Sequence, residues 1–255
     1  MSFSRLRIVA LGLFVVTLPA CFFKGAGDEE KCRLFVQLIA DSPMLDALRD
    51  SATAVSNKII KEELGLPEDY DYPFFVPKEI NRLTLYYLYD FPNSSHERLF
   101  SALTPLSHAA VPWDAVITSE VHFFGEQDEL VVMIDDPRGE LVDLHEQAKA
   151  IAHQLNDEYR QTHQHALYNI SESEQFAYKL HIGLGRIRLQ SIKNHTENVA
   201  VLERIRERIL EAMTKEVVAL MTKMGKRLAF ERMTIFQLNP KARMRGYIKD
   251  YPLIR

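Results

Sequence analysis

Strict alternation of apolar and polar positions marks the strands of this chain, and apolar spacing of three to four marks its helices. Arg33-Leu-Phe-Val-Gln-Leu-Ile39 reads as a strand. A helix starts at Asp41–Pro43, where Met44, Leu45, Leu48, Ala52, Val55, Ile59 and Ile60 keep helical spacing. Residues 64–77 have the Pro, Asp and Tyr content of a loop. Arg82–Leu88 is a strand, Phe91–Ser95 a turn and His96–Leu106 a short helix. Val116–Phe124 and Glu129–Ile134 form a hairpin around Gly125-Glu-Gln-Asp. Arg138–His163 is a helix with Leu141, Leu144, Ala148, Ile151 and Leu155 on one stripe, and a loop rich in His and Ser follows it. Thr196–Met224 is a long helix, Phe230–Leu238 a strand, and Tyr247–Leu253 closes the chain.

The stretch Tyr178-Lys-Leu-His-Ile-Gly-Leu-Gly-Arg-Ile-Arg-Leu189 organises the rest. As a strand it points Leu180, Ile182, Leu184 and Arg186 one way and His181, Gly183 and Gly185 the other. The second face carries one imidazole flanked by residues without bulk, so a ligand can approach the backbone closely. Asn81-Arg-Leu-Thr-Leu-Tyr-Tyr-Leu88 repeats the pattern, with x-Leu-Thr-Leu matching His-Ile-Gly-Leu. There Arg82, Thr84 and Tyr86 share a face and Asn81 takes the other.

Residues 1–20 have the form of a signal peptide. Arg5 and Arg7 make a positive start, and Ile8–Val16 is apolar but too short to span a bilayer. Leu18-Pro-Ala-Cys21 resembles a bacterial lipobox, which implies lipidation at Cys21 and tethering to the cell envelope facing the periplasm. Phe22 after the cysteine favours the outer membrane. Residues 21–31, with Gly25 and Gly27, form a linker, and residues 32–255 one large domain. The net charge of −4 supplies no global basic field, so duplex nucleic acid is not expected and any phosphate binding is local. Of the two cysteines, a lipidated Cys21 leaves Cys32 alone, as a small apolar filler with no internal disulfide.

The order of parts resembles the two-histidine phosphoesterases, which include the 2′-5′ RNA ligase-like cyclic phosphodiesterases. Their pattern is strand, helix, a loop near Pro, His-x-Thr-Leu, helix, hairpin, helix, a second His-x-Thr-Leu and a late strand. Val76-Pro-Lys-Glu-Ile-Asn-Arg-Leu-Thr-Leu85 stands at the first motif. Val121-His-Phe-Phe-Gly125 with Leu130-Val-Val-Met-Ile134 stands at the hairpin, and Phe176-Ala-Tyr-Lys-Leu-His-Ile-Gly-Leu-Gly-Arg-Ile187 at the second motif. The resemblance implies an α+β fold of two lobes, each an antiparallel sheet with helices outside, whose motif strands face each other across a cleft. It also implies chemistry on cyclic phosphates or small phosphodiesters. Two histidines take and give protons there, and the hydroxyl two residues after each donates to phosphate.

Two departures stand out. Arg82 replaces the first histidine and Gly183 the second threonine, so His181 and Thr84 alone keep the catalytic residue types. Arginine does not give up its proton usefully, but it clamps phosphate with paired hydrogen bonds. Tyr86 is a further candidate on the Arg82 face, for stacking or for its hydroxyl. His122 matters only if the hairpin lines the cleft. His163 and His165 lack companions at metal spacing, and neither a metal nor another cofactor is expected. In the long helix, mixed charges mark an exposed surface and the apolar stripe packs on its own domain. A monomer is expected. Two functions follow: a specialised phosphodiesterase, or a binding module that keeps the cleft for a nucleotide or phosphorylated ligand without catalysis.

Overall fold

The computed structural model describes residues 30–108, 113–125, 128–175, 177–239 and 244–252. The stretch expected to be a signal peptide, Cys21 and most of the expected linker lie outside the described residues. The elements are β1 (Lys31–Ala40), α1 (Pro43–Glu63), β2 (Phe75–Pro77), β3 (Arg82–Pro92), α2 (His96–His108), β4 (Trp113–Phe124) and β5 (Glu129–Asp135). After these come α3 (Glu140–Arg160), α4 (Ile170–Ser173), β6 (His181–Ile187), α5 (Leu189–Lys193), α6 (Val199–Met224), β7 (Arg227–Asn239) and β8 (Met244–Pro252).

Local chemistry sets several boundaries. Ser42 caps α1 by accepting from the Leu45 amide, and Pro43 occupies the first turn, where its missing N–H costs nothing. Asp136 accepts from the amides of Leu141 (2.6 Å) and Val142 (3.1 Å) and so caps α3. Asn198 caps α6 through the Ala200 amide. Gly125 turns the hairpin at a φ of 67°.

Every strand pairing is antiparallel, in the order β2-β6-β5-β4-β7-β1-β3, with β8 added to β7. The lobes expected from the sequence are two halves of one sheet. One half holds β1, β3, β7 and β8, and the other β2, β4, β5 and β6. They are joined where the start of β4, residues 113–116, pairs with residues 227–230 of β7. Although not hydrogen-bonded neighbours, β3 and β6 approach within 8 Å between Cα atoms.

Helices cover one side of each half. α1 and α6 pack together over β2, β6 and β4, while α2 and α3 pack together near β3 and β8. Beneath them lie Leu34, Val36, Leu38, Leu83, Leu85, Leu88, Ile182 and Leu184, all 1% exposed or less. Alternation leaves the opposite face of both motif strands for the site. Cys32 is buried, as the filler reading expects, with its thiol on the Phe91 carbonyl. No helix among the described residues is long and apolar enough to cross a membrane.

Two bulges correct the face assignments. In the β1–β3 ladder Val36 pairs with Tyr86 and Gln37 with Thr84, so β3 carries one extra residue. Leu85 and Tyr86 therefore both turn into the core, at 1% and 2% exposure, and Tyr87 inherits the face of Arg82 and Thr84. In the β5–β6 ladder Val131 pairs with Gly183 and Leu130 with Gly185. Leu184 and Gly185 both face the core, and Arg186 comes round to the open side, in register with Glu129. A Cβ on Gly185 would fall on the Phe75 ring and lie 2.6 Å from the Val76 carbonyl oxygen, so this glycine permits the close approach of β2.

Candidate functional site

His181 opens β6. Its Nδ1 lies 2.8 Å from the Lys179 carbonyl, which can only accept, so the proton sits on Nδ1 and the Nε2 lone pair is the one left over. Among the described residues Nε2 has no hydrogen-bond partner. Burial is the main cause holding the imidazole below its ordinary value, against the opposing pull of the Lys179 carbonyl and the Glu129 charge. The ring of Phe124 meets it edge to face at 4.8 Å. His122 lies on the same face of β4 as Phe124 and stacks on that ring at 6.1 Å, so Phe124 stands between the two histidines.

The place of the missing hydroxyl at Gly183 is taken by another residue. A Cβ there would fall on Glu129 Oε1 and lie 3.2 Å from Lys78 Cε. Glu129 and Lys78 form an ion pair of 3.1 Å directly over this glycine. Both are held from below. Lys78 follows β2 and donates its amide to the Leu184 carbonyl at 2.9 Å. Glu129 follows Asp128, whose side chain is 8% exposed and accepts from Arg206 Nε at 3.1 Å, tying the hairpin to α6.

On β3, the Thr84 hydroxyl accepts from Gln37 Nε2 at 3.3 Å. The Tyr87 ring meets Phe35 at 5.3 Å, and Phe35 meets Phe236 at 6.0 Å. The Arg82 guanidinium lies over Phe236, 4.7 Å from its centroid, with no carboxylate partner among the described residues. The face thus carries a row of half-exposed rings ending in a cation. Burial raises the Tyr87 phenol above its usual value, so it stays protonated. Beneath, Gln37 Oε1 and Thr234 Oγ1 are buried without a hydrogen-bond partner among the described residues.

Tyr86 does not belong to this face. Its hydroxyl donates to Glu174 at 2.8 Å on the helix side, in a network with Tyr168, His153 and Lys149. The two motif strands nevertheless share one space. β3 and β6 approach within 8 Å between Cα atoms, and the partly exposed positions of each strand lie away from the core. Arg82, Thr84, His181 and Gly183 are thus brought to one face and Tyr86 is not. The sequence reading missed Tyr87, displaced by a bulge, and the pair Lys78–Glu129, whose members are distant in sequence. A signal for Lys78 existed in its place within the first motif's leading Val76-Pro-Lys. Among the described residues no three His, Cys, Asp or Glu side chains converge as a metal site.

No protein-family model and no curated protein matches the chain. Solved structures do. TT0787 of Thermus thermophilus superposes with a TM-score of 0.50 at 14% identity, covering 87% of this chain and 97% of that one. Usb1 of Kluyveromyces marxianus gives 0.53 at 12% identity, covering 89% and 99%. The same Usb1 with uridine monophosphate gives 0.53 at 12% identity, covering 88% and 99%. The chain has the two-histidine phosphoesterase fold. Within that fold its second motif strand keeps the histidine and its first keeps the threonine. The remaining two motif positions hold a guanidinium and a glycine covered by an ion pair.

Proposed function

We propose that the cleft between β3 and β6 binds a cyclic phosphate or small phosphodiester, such as a nucleotide, and hydrolyses it slowly. The observation that carries this is the approach of β3 and β6 within 8 Å between Cα atoms, with Arg82 and Thr84 on the outward face of one strand and His181 and Gly183 on that of the other. Arg82 and Lys78 supply positive charge for the phosphate, and Thr84 a hydroxyl. The rings of Tyr87, Phe35 and Phe236 offer a stacking surface for a base. Uridine monophosphate bound to Usb1, which shares the fold, supports a nucleotide ligand.

In the hydrolytic step a water oxygen attacks phosphorus and its proton passes to His181 Nε2. The bond from phosphorus to the leaving oxygen breaks, and that oxygen takes the proton of the Tyr87 phenol. The phenolate then regains a proton as the imidazolium loses one, through solvent. A phenol with a raised pKa is a weak acid, which accounts for slow turnover. Arg82 at the first motif position favours the second reading, a binding module without catalysis, because it holds phosphate and carries no usable proton. We further propose that the protein is a lipoprotein anchored through Cys21 on the cell envelope, with the domain on the periplasmic side.

The test is turnover of 2′,3′-cyclic nucleotides by the full chain in detergent. Wild type is expected to be active, and His181→Ala to lose on the order of 10²–10⁴ in rate. Because His181 works as a base when neutral and burial lowers its pKa, activity is expected to persist below about pH 6.5, the ordinary imidazole value, and to fall only at lower pH. Equal rates for wild type and His181→Ala remove His181 from the chemistry. Binding without turnover in both establishes the binding module.

A further inference from the structure

The family pattern asks for a hydroxyl at Gly183, which would donate to an anion. This chain instead puts a carboxylate there. Glu129 Oε1 occupies the space of a Gly183 side chain, 3.1 Å from Lys78 Nζ, and its charge acts on His181 and Tyr87. The carboxylate has not been pushed aside to solvent, since its side chain is 32% exposed and that of Lys78 26%. The hairpin residue before it is locked to α6 by Arg206, so the backbone aims it at the cleft.

A negative group inside an anion site has a definite consequence. It cancels the charge of Lys78 and leaves the site able to neutralise one unit less. We infer that Glu129 is the specificity-determining residue of this cleft, selecting singly charged phosphodiesters over doubly charged phosphomonoesters. The inference rests on the phosphodiester reading above and adds to it the charge of the ligand. A diester carries one negative charge at every physiological pH, whereas a monoester carries nearly two above its second pKa of about 6. The second charge meets the Glu129 carboxylate, which has already taken up the charge of Lys78. Hydrolysis of a diester yields a monoester, so the same residue repels the product and promotes its release. Gly183 is the complementary half of the device, because any side chain there displaces the carboxylate.

The experiment compares two probes by calorimetry at about pH 8, where the monoester is fully charged. They are adenosine 2′,3′-cyclic phosphorothioate, with one charge and slow turnover, and adenosine 3′-phosphorothioate, with two. The full chain in detergent is used as wild type, Glu129→Gln and Lys78→Met. Wild type is expected to bind the cyclic probe more tightly. Glu129→Gln keeps the shape and removes the charge, and is expected to cut that preference about five- to tenfold, a modest factor because solvent screens a pair this exposed. Lys78→Met moves the local charge the other way and is expected to raise the preference while weakening both probes. If wild type binds both probes and neither variant moves the ratio, or moves it in the opposite sense, Glu129 does not set ligand charge although the cleft reading stands. If wild type binds neither probe, the cleft reading fails and this inference with it.

Discussion

A single position decides how far family chemistry carries over to this chain. Gly183 reads in the sequence as a lost hydroxyl, and the simple repair is Gly183→Thr. The structure argues the reverse, since a threonine Cβ would fall on Glu129 Oε1. Gly183→Thr is expected to leave turnover of a 2′,3′-cyclic nucleotide no higher than wild type, whereas Arg82→His, which adds a proton carrier beside Thr84, is expected to raise it. That gain is expected to be at most about 10², the low end for an added acid–base group, because phosphate affinity falls when the guanidinium goes. Rate measurements on the two variants check this ordering. At this scale the sequence was legible wherever alternation held. His181, Gly183, Arg82 and Thr84 were placed by period two, and so was Asn81, which turns away to Asp46 and Arg49. Alternation failed where a bulge inserted a residue, because the pairing partner that defines a bulge is not local in sequence.

Elements were legible in proportion to their length. The long helices and the central strands appear where periodicity puts them, to within a few residues at their ends. The three-residue β2 could not be read, because it exists through its pairing with β6 and through Asn57, which accepts from the amides of Phe74 (2.8 Å) and Phe75 (3.1 Å). The four-residue α4 and the strand character of the closing segment went unread for the same reason. The bulge in β3 has a consequence at this scale, since it divides two adjacent tyrosines between core and cleft. Tyr86→Phe removes a buried donor to Glu174 and is expected to cost about 1–3 kcal/mol of stability while leaving ligand affinity unchanged. Tyr87→Phe is expected to do the opposite, slowing turnover with little loss of stability. Denaturant unfolding, a binding titration and turnover rates on both variants separate the assignments.

At the scale of the molecule, one sheet curls so that β3, at one end of its strand order, and β6, near the other, lie side by side. Elements far apart in sequence thereby contribute Arg82, Thr84 and Tyr87 from one half and His181, Lys78 and Glu129 from the other. The resemblance read from motif order anticipated this meeting of strands but not the ion pair placed between them. The proposed anchor concerns the same scale. Fatty-acid labelling and fractionation of cells are expected to place the wild type in the membrane with label attached, and Cys21→Ser is expected to lose both. Retention of label and membrane association by that variant would rule out the lipobox reading.

The central claim is that both halves hold one ligand. Its most direct measurement is calorimetric titration of the full chain with adenosine 2′,3′-cyclic phosphorothioate, in wild type, Arg82→Ala and His181→Ala. Each variant is expected to weaken binding, Arg82→Ala by about tenfold or more, as the loss of a charge-assisted contact worth about 1.4 kcal/mol or more requires. His181→Ala is expected to weaken it by less. Unchanged affinity in either variant would mean that one of the two strands does not face the ligand, and would contradict the shared cleft.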